Sequence, residues 1–255
     1  MIGRWLAAAP ATASRRAFSW LLGVPDFHTH LRLAPLQSYR VQRGARLCEL
    51  GCGDGIGVIE LLLRNPGTTA CGYEADAAAL ARATEFAKHC GLTDRLAFRS
   101  GDLAADIPAE VSAADCVLLL DVLEHLPDPA RTAAAIVAQL KSGARVIVSV
   151  PTRLYPRLFG RRYHERIGHL RDGFDLREAD ALFAGLQRVR FRYAVGPLSW
   201  PGVLLCYRLP WYAKPTLLRR TLGVLVNVVS APFRAIDLWN GSTVSCSLFV
   251  EYAKP

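Results

Sequence analysis

The stretch Cys48-Glu49-Leu50-Gly51-Cys52-Gly53-Asp54-Gly55 decides the fold. The short run Arg46–Leu50 reads as a strand, and three glycines at alternate positions follow it. A glycine has no Cβ, so a turn built this way bends tightly and lets a ligand approach the backbone closely. Residues Ile56–Arg64 then read as a helix, which makes the glycines a strand-to-helix turn. Spacing sorts the ligands such a turn can hold. A dinucleotide fingerprint needs a small residue three positions after its second glycine, but counting from Gly51 that position holds Ile56, and counting from Gly53 it holds Val58. A phosphate loop needs Gly-Lys-Ser/Thr after its glycines, and none follows.

Outward from the turn, strands and helices alternate. Thr69–Tyr73 reads as a second strand, and Ala77 to about His89 as a helix with Asp76 placed to cap its first turn. Arg95–Arg99 is a third strand, and Cys116–Leu120 has the unbroken apolar character of a strand covered on both faces. A helix over Ala130–Lys141, stopped by Ser142-Gly143, leads to a fifth strand at Ala144–Val150. Such alternation predicts an α/β fold, a mostly parallel sheet with helices on both faces and ligands at the carboxyl ends of the strands. After Val150 the pattern changes to a polar, arginine-rich loop over Thr152–Arg171, then a short helix at Leu176–Ala184 capped by Asp175. Val189–Val195 and Thr243–Tyr252 read as the last strands, and 197–241 between them is too long for a turn and too apolar for an exposed loop.

The acidic-x-Gly-x-Gly-x-Gly arrangement resembles motif I of class I S-adenosylmethionine-dependent methyltransferases, and the resemblance extends over roughly residues 45–150. It implies a Rossmann-like, seven-stranded sheet and S-adenosyl-L-methionine as cofactor. By this resemblance Glu49, Gly51, Cys52, Gly53 and Gly55 form the cofactor turn, and Glu74 with Ala75 ends the second strand where a carboxylate can accept from both ribose hydroxyls. Asp102 and Leu103, in Ser100-Gly101-Asp102-Leu103, stand where the family often meets the adenine amino group. Asp121 and Val122 lie in a segment, Leu119 to Asp128, like that after the family's fourth strand. Each residue also has a plainer reading: Glu74 as a helix cap, Asp102 as a turn residue, Cys52 as a small spacer between glycines.

A sulfonium already activates its methyl group, so an enzyme of this kind mainly aligns donor and acceptor, and an oxygen or nitrogen acceptor also needs a base. His125, after the fourth strand, and His169, in the loop expected to cover the site, are the candidates. Glu124-His125 also resembles the Glu-His pair of ubiquinone-pathway O-methyltransferases, some of which look metal-assisted. There another carboxylate precedes the pair and a later histidine completes the set, parts that Asp121, Glu124, His125 and His169 match, except that Asp121 stands where that family has glutamate. The alternative, preferred on sequence, is a structural turn with no metal. His28 and His30 of the N-terminal segment, and Arg153, Tyr155 and Tyr163 of the arginine-rich loop, are candidates for the acceptor side.

Composition bounds the partners. The 255 residues carry a net charge of +9, and 51% are hydrophobic, which suffices for a substantial core. Seven scattered cysteines without a Cys-x-x-Cys pair point to a reducing, cytoplasmic setting and against a disulfide or zinc framework. Residues 1–44 read as a basic amphipathic helical cap, with Arg4, Arg15 and Arg16 among Trp5, Phe18 and Trp20, ahead of a methyltransferase domain over 45–255. Within 197–241, the helix-like run Leu217–Val229 is shorter than the ~20 apolar residues that span a bilayer. With tryptophans, tyrosines and arginines at its margins, that insertion suits docking on an anionic membrane, a lid over an apolar substrate or a dimer interface. The chain is therefore expected to methylate an oxygen of a small-molecule, lipid-linked or glycan acceptor, in the cytoplasm or peripherally on the inner membrane. The rivals are a tRNA or protein methyltransferase and a cofactor-binding protein without turnover. Aromatic residues interleave with arginines at Arg153–Arg171, but no recognisable RNA-binding module accompanies them.

Overall fold

A computed structural model of the chain describes residues 39–205 and 243–255, together with Leu33, Leu36, Leu225, residues 228–230, 232, 233, 236 and 237. Seven strands form one sheet: β1 (Arg46–Leu50), β2 (Thr69–Glu74), β3 (Leu96–Ser100), β4 (Cys116–Leu120), β5 (Arg145–Pro151), β6 (Gln187–Ala194) and β7 (Ser247–Ala253). Their order is β3-β2-β1-β4-β5-β7-β6. The five strands from β3 to β5 pair in parallel, while β7 runs antiparallel to both β5 and β6. The strand order reverses between β1 and β4, and the crevice outside their carboxyl ends is where open α/β sheets bind ligands.

Helices α1 (Ile56–Arg64), α2 (Ala77–His89) and α3 (Pro129–Gln139) cover the parallel half, followed by α4 (Tyr155–Phe159), α5 (Arg161–Arg166), α6 (Leu176–Leu182) and α7 (Trp200–Val203). Helix starts follow side-chain chemistry. The carboxylates of Asp76, Asp128 and Asp175 accept from first-turn amides of α2, α3 and α6, and Glu178 completes a capping box on α6. Every residue of β4 is buried, as its apolar run predicts, with a hydrophobic cluster on each side of the sheet. Leu33, Leu36 and Tyr39 enter one cluster beside Leu61 and Leu62, and Arg64 donates to the carbonyl of Leu36. Of the expected cap over 1–44, residues 1–32, 34, 35, 37 and 38 lie outside the described residues, as does most of 197–241.

Two local expectations change. The loop over Thr152–Arg171 holds two short helices, because Pro156 occupies the first turn of α4 and Gly160, at φ 95, separates α4 from α5. The last strand begins at Ser247 rather than Thr243, since its partner β5 ends at Pro151, paired with Ser247.

Candidate active site

At the carboxyl end of β1 the chain turns through Gly51, Gly53 and Gly55, all with positive φ, a region that carries a steric cost for residues with a Cβ. At Gly51 a Cβ would lie 2.7 Å from Cγ2 of Val122, so the glycine turn and the segment after β4 are in direct contact. Glu49 is buried, and its Oε2 accepts from the amide of Val58 at 2.9 Å, which places a carboxylate at the amino end of α1. Glu74 ends β2 with both oxygens on backbone donors: Oε2 accepts from Gly53 at 2.7 Å and Oε1 from Asp76 at 2.9 Å. Its carboxylate is thereby fixed at the lip of the glycine turn. Cys52 is buried and bonded through its amide to the carbonyl of Tyr73. Ala75 is exposed beside Glu74. Asp102 is exposed and accepts from the amide of Ala104, while the Leu103 side chain lies in the core.

After β4 the backbone reaches an uncommon conformation at Asp121, φ 55, a residue without glycine's freedom. Its Oδ1 accepts from the Ser149 hydroxyl of β5 at 2.7 Å, which holds the turn against the neighbouring strand. Such backbone strain collects at functional sites. One turn on, a 3-10 segment over Leu123–His125 presents Glu124, which is buried, and His125. The loop carrying His169 closes on them: the Leu170 amide donates to the carbonyl of Glu124 at 2.9 Å, and Arg171 donates to the carbonyls of Leu126 and Pro127. His169 Nε2 lies 3.8 Å from Glu124 Oε1, and the rings of His125 and His169 meet edge to face with centroids 4.8 Å apart. Nδ1 of His125 lies 3.1 Å from the carbonyl of Gly168, an acceptor, so Nδ1 carries the proton of that bond and Nε2 is the basic nitrogen.

Glu124, His125 and His169 each offer one donor atom within 4.8 Å of the others. Asp121 is not in that group, and its carboxylate is engaged by Ser149. One carboxylate and two imidazoles suit a divalent cation, so the donor set fits a metal by its chemistry.

The remaining sequence candidates divide. Tyr155 is buried, stacks on Phe159 at 4.2 Å and lies 5.3 Å from the His169 ring, forming a wall of the histidine cluster. Tyr163 is half-buried and stacks on Phe159 one step further out. Arg153 pairs with Glu178 and Asp175 at the start of α6. His28 and His30 lie outside the described residues. Two residues went unread in the sequence. His164 is buried with its ring 4.6 Å from that of His169, and Nε2 on the carbonyl of Arg171. Ser149 was visible only as part of an apolar strand, and only the sheet register brings it to Asp121. Elsewhere, a cavity of about 680 Å³ lies at the opposite ends of the strands, lined by Tyr39, Arg40, Asp115, Lys141, Arg190 and Glu251 among others, and takes no part in this constellation.

Comparison with known proteins follows the same lines. A family model described as a methyltransferase domain matches residues 27–187. A ubiquinone biosynthesis O-methyltransferase of Methylococcus capsulatus is 31% identical over 123 residues, which are 48% of this chain and 50% of that protein. The chain thus spans about half the length of that relative. Among solved structures, a geranyl diphosphate methyltransferase in complex with S-adenosylmethionine superposes with a TM-score of 0.62 at 14% identity, covering 98% of this chain and 94% of that one. Phosphoethanolamine N-methyltransferase 2 of Haemonchus contortus superposes with a TM-score of 0.62 at 18% identity, covering 94% of this chain and 56% of its own. At these identities the two structures share the fold.

Proposed function

This chain belongs to the methyltransferase-domain family, and from that premise we propose that it transfers the methyl group of S-adenosyl-L-methionine to an oxygen of a small-molecule acceptor. The observation that carries the reading is the gathering of Glu124, His125 and His169 directly after β4, beside the turn that Gly51, Gly53 and Glu74 prepare for the cofactor. Glu74 accepts from the ribose hydroxyls, and the amides of the glycine turn and Glu49 hold the amino-acid end. Asp102, Leu103 and Val122 line the adenine side.

The reaction is an in-line displacement: the acceptor oxygen forms a bond to the methyl carbon as the carbon–sulfur bond breaks, leaving S-adenosylhomocysteine. Nε2 of His125 takes the hydroxyl proton, because its other nitrogen is tied to the carbonyl of Gly168. His169, pressed between His125, His164 and Tyr155, orients that ring and forms the wall against which the acceptor seats. An oxygen acceptor is supported by the ubiquinone-pathway relative. A second reading follows from the donor spacing: Glu124, His125 and His169 would hold a divalent cation, whose charge would lower the acceptor hydroxyl's pKa.

The test is calorimetric titration with S-adenosylmethionine, with NAD as control, followed by transfer of a labelled methyl group to simple phenols and catechols with and without chelator. Binding of S-adenosylmethionine alone and methylation at oxygen are expected. Binding without turnover on any hydroxylated acceptor, or transfer to tRNA or protein, would overturn the reading, and loss of activity with chelator would select the metal-assisted form.

A further inference from the structure

The described residues among 225–237 are helical, and they are arranged inside out. Ser230 and Asp237 are buried, and Asp237 Oδ2 accepts from the amide of Ser199 at 2.6 Å. Leu225, Val229, Phe233 and Ile236 are 56%, 58%, 46% and 52% exposed. They recur at intervals of four, four and three, which returns a helix to the same face. Leu198, Leu204, Leu205 and Val244 add further exposed apolar side chains nearby in the chain. Single exposed apolar residues are ordinary, but four of them at helical spacing, interleaved with a buried serine and a buried aspartate, are not.

This surface sits at the mouth of the site. β6 runs antiparallel to β7, as does β5, so the end of β6 lies on the same edge of the sheet as the ends of β1 and β4. The Asp237–Ser199 bond ties the apolar row to that end, and α7 packs on α4, whose Tyr155 faces His169. Charge selects the occupant. The sequence sets Arg219 and Arg220 just before Leu225, and Arg234 directly after Phe233, in a chain of net charge +9. Exposed apolar side chains in a strongly basic chain, with arginines on either side of them in the sequence, match the boundary between headgroups and acyl chains of an anionic bilayer. A second copy would instead bring like charges together. Among the described residues no helix is long and apolar enough to cross a membrane.

We propose that this face docks on an anionic lipid surface and turns the mouth of the site toward it, so that the methyl acceptor is one carried by the lipid. The acceptor clause rests on the methyl-transfer reading above; the docking clause does not. The experiment is co-sedimentation of the full chain with phosphatidylcholine vesicles and with vesicles containing phosphatidylglycerol. It compares wild type with the triple variant Leu225→Ser, Val229→Ser, Phe233→Ser, each checked for thermal unfolding, S-adenosylmethionine affinity and size in solution. Wild type should pellet with the anionic vesicles only, and the variant's partitioning should fall about ten-fold or more, with folding and cofactor affinity kept. Wild type left in the supernatant, or a folded variant that pellets equally, overturns the proposal. So does a vesicle-free wild-type dimer that the variant dissolves, since the face would then bind itself. Vesicle binding in a chain that fails to bind S-adenosylmethionine would keep the docking surface and sink the methyl-transfer reading instead.

Discussion

The half of the sheet from β3 to β5 and the half made by β7 and β6 solve different problems. In the first, strands are parallel, connections are short, and the groups we assign to the donor are backbone amides and carboxylates already fixed by them: Glu49 on Val58, Glu74 on Gly53 and Asp76. In the second, β6 is exposed along most of its length, and the connections that follow β5 and β6 carry His164, His169 and the exposed apolar side chains at 225–236. On the proposed reading the donor end is set by backbone geometry and the acceptor end by side chains on loops. A scaffold of this kind keeps one cofactor while its loops change acceptors.

On that division the two ends should fail separately. His125→Ala should lower the rate of methyl transfer by about 10²–10⁴-fold, the usual contribution of a positioned base, while calorimetric affinity for S-adenosylmethionine stays within about two-fold. Loss of cofactor affinity in that variant would erase the boundary between the halves. Glu74→Ala should weaken cofactor binding by about ten-fold or more, since a hydrogen bond to a charged group contributes ~1.5–3 kcal/mol. An unchanged isotherm would place the ribose elsewhere. Gly51→Ala should cost about 1–2 kcal/mol from the positive φ alone, read as a lower unfolding temperature, with more from the approach of Cβ to Val122. Adding Val122→Ala should recover the packing part and leave the backbone part; full recovery would mean that the turn is not strained.

The smallest effect lies far from either ligand. Asp115 pairs with Lys141 at 2.6 Å and accepts from the amide of Arg46. Burial, the largest single influence, raises its pKa, but the Lys141 ammonium and the Arg46 amide together outweigh it and hold the carboxyl below its ordinary value. A lowered folded-state pKa stabilises at pH above the ordinary carboxylate range, and the contribution disappears as pH falls through the folded value. Asp115→Asn should therefore lower stability at neutral pH by ~0.2–1 kcal/mol, as for a half-exposed pair, and the gap to wild type should close in acid. A gap that widened in acid would reverse the assignment.

Legibility in the sequence follows the same division. Elements β1 to β5 announce themselves through apolar runs, capping aspartates and alternate glycines, all local signals that physics reads over a few residues. The contacts that make the site are not local. Ser149 reaches Asp121 through the β4–β5 register, and His169 reaches Glu124 because the loop folds back through the Leu170 amide and Arg171. The arginines of the 152–171 loop drew attention in the sequence, yet Arg153 is spent on the cap of α6, and the buried aromatics Tyr155 and Phe159 shape the site. Residue type told which side chains could do chemistry; only the fold told which of them meet.

The two amides that grip Glu74 carry one more consequence. Gly53 and Asp76 sit in connecting loops, where backbone N–H groups ordinarily trade their hydrogen for deuterium within seconds to minutes once local opening is easy. Here each is bonded to one carboxylate before any ligand arrives. Their exchange in the ligand-free protein should lag well behind that of their loop neighbours, and Glu74→Ala should bring both to the common rate together. Two slow protons in otherwise fast segments would show that the cradle for the donor is cast in advance, with little left to order when the donor enters.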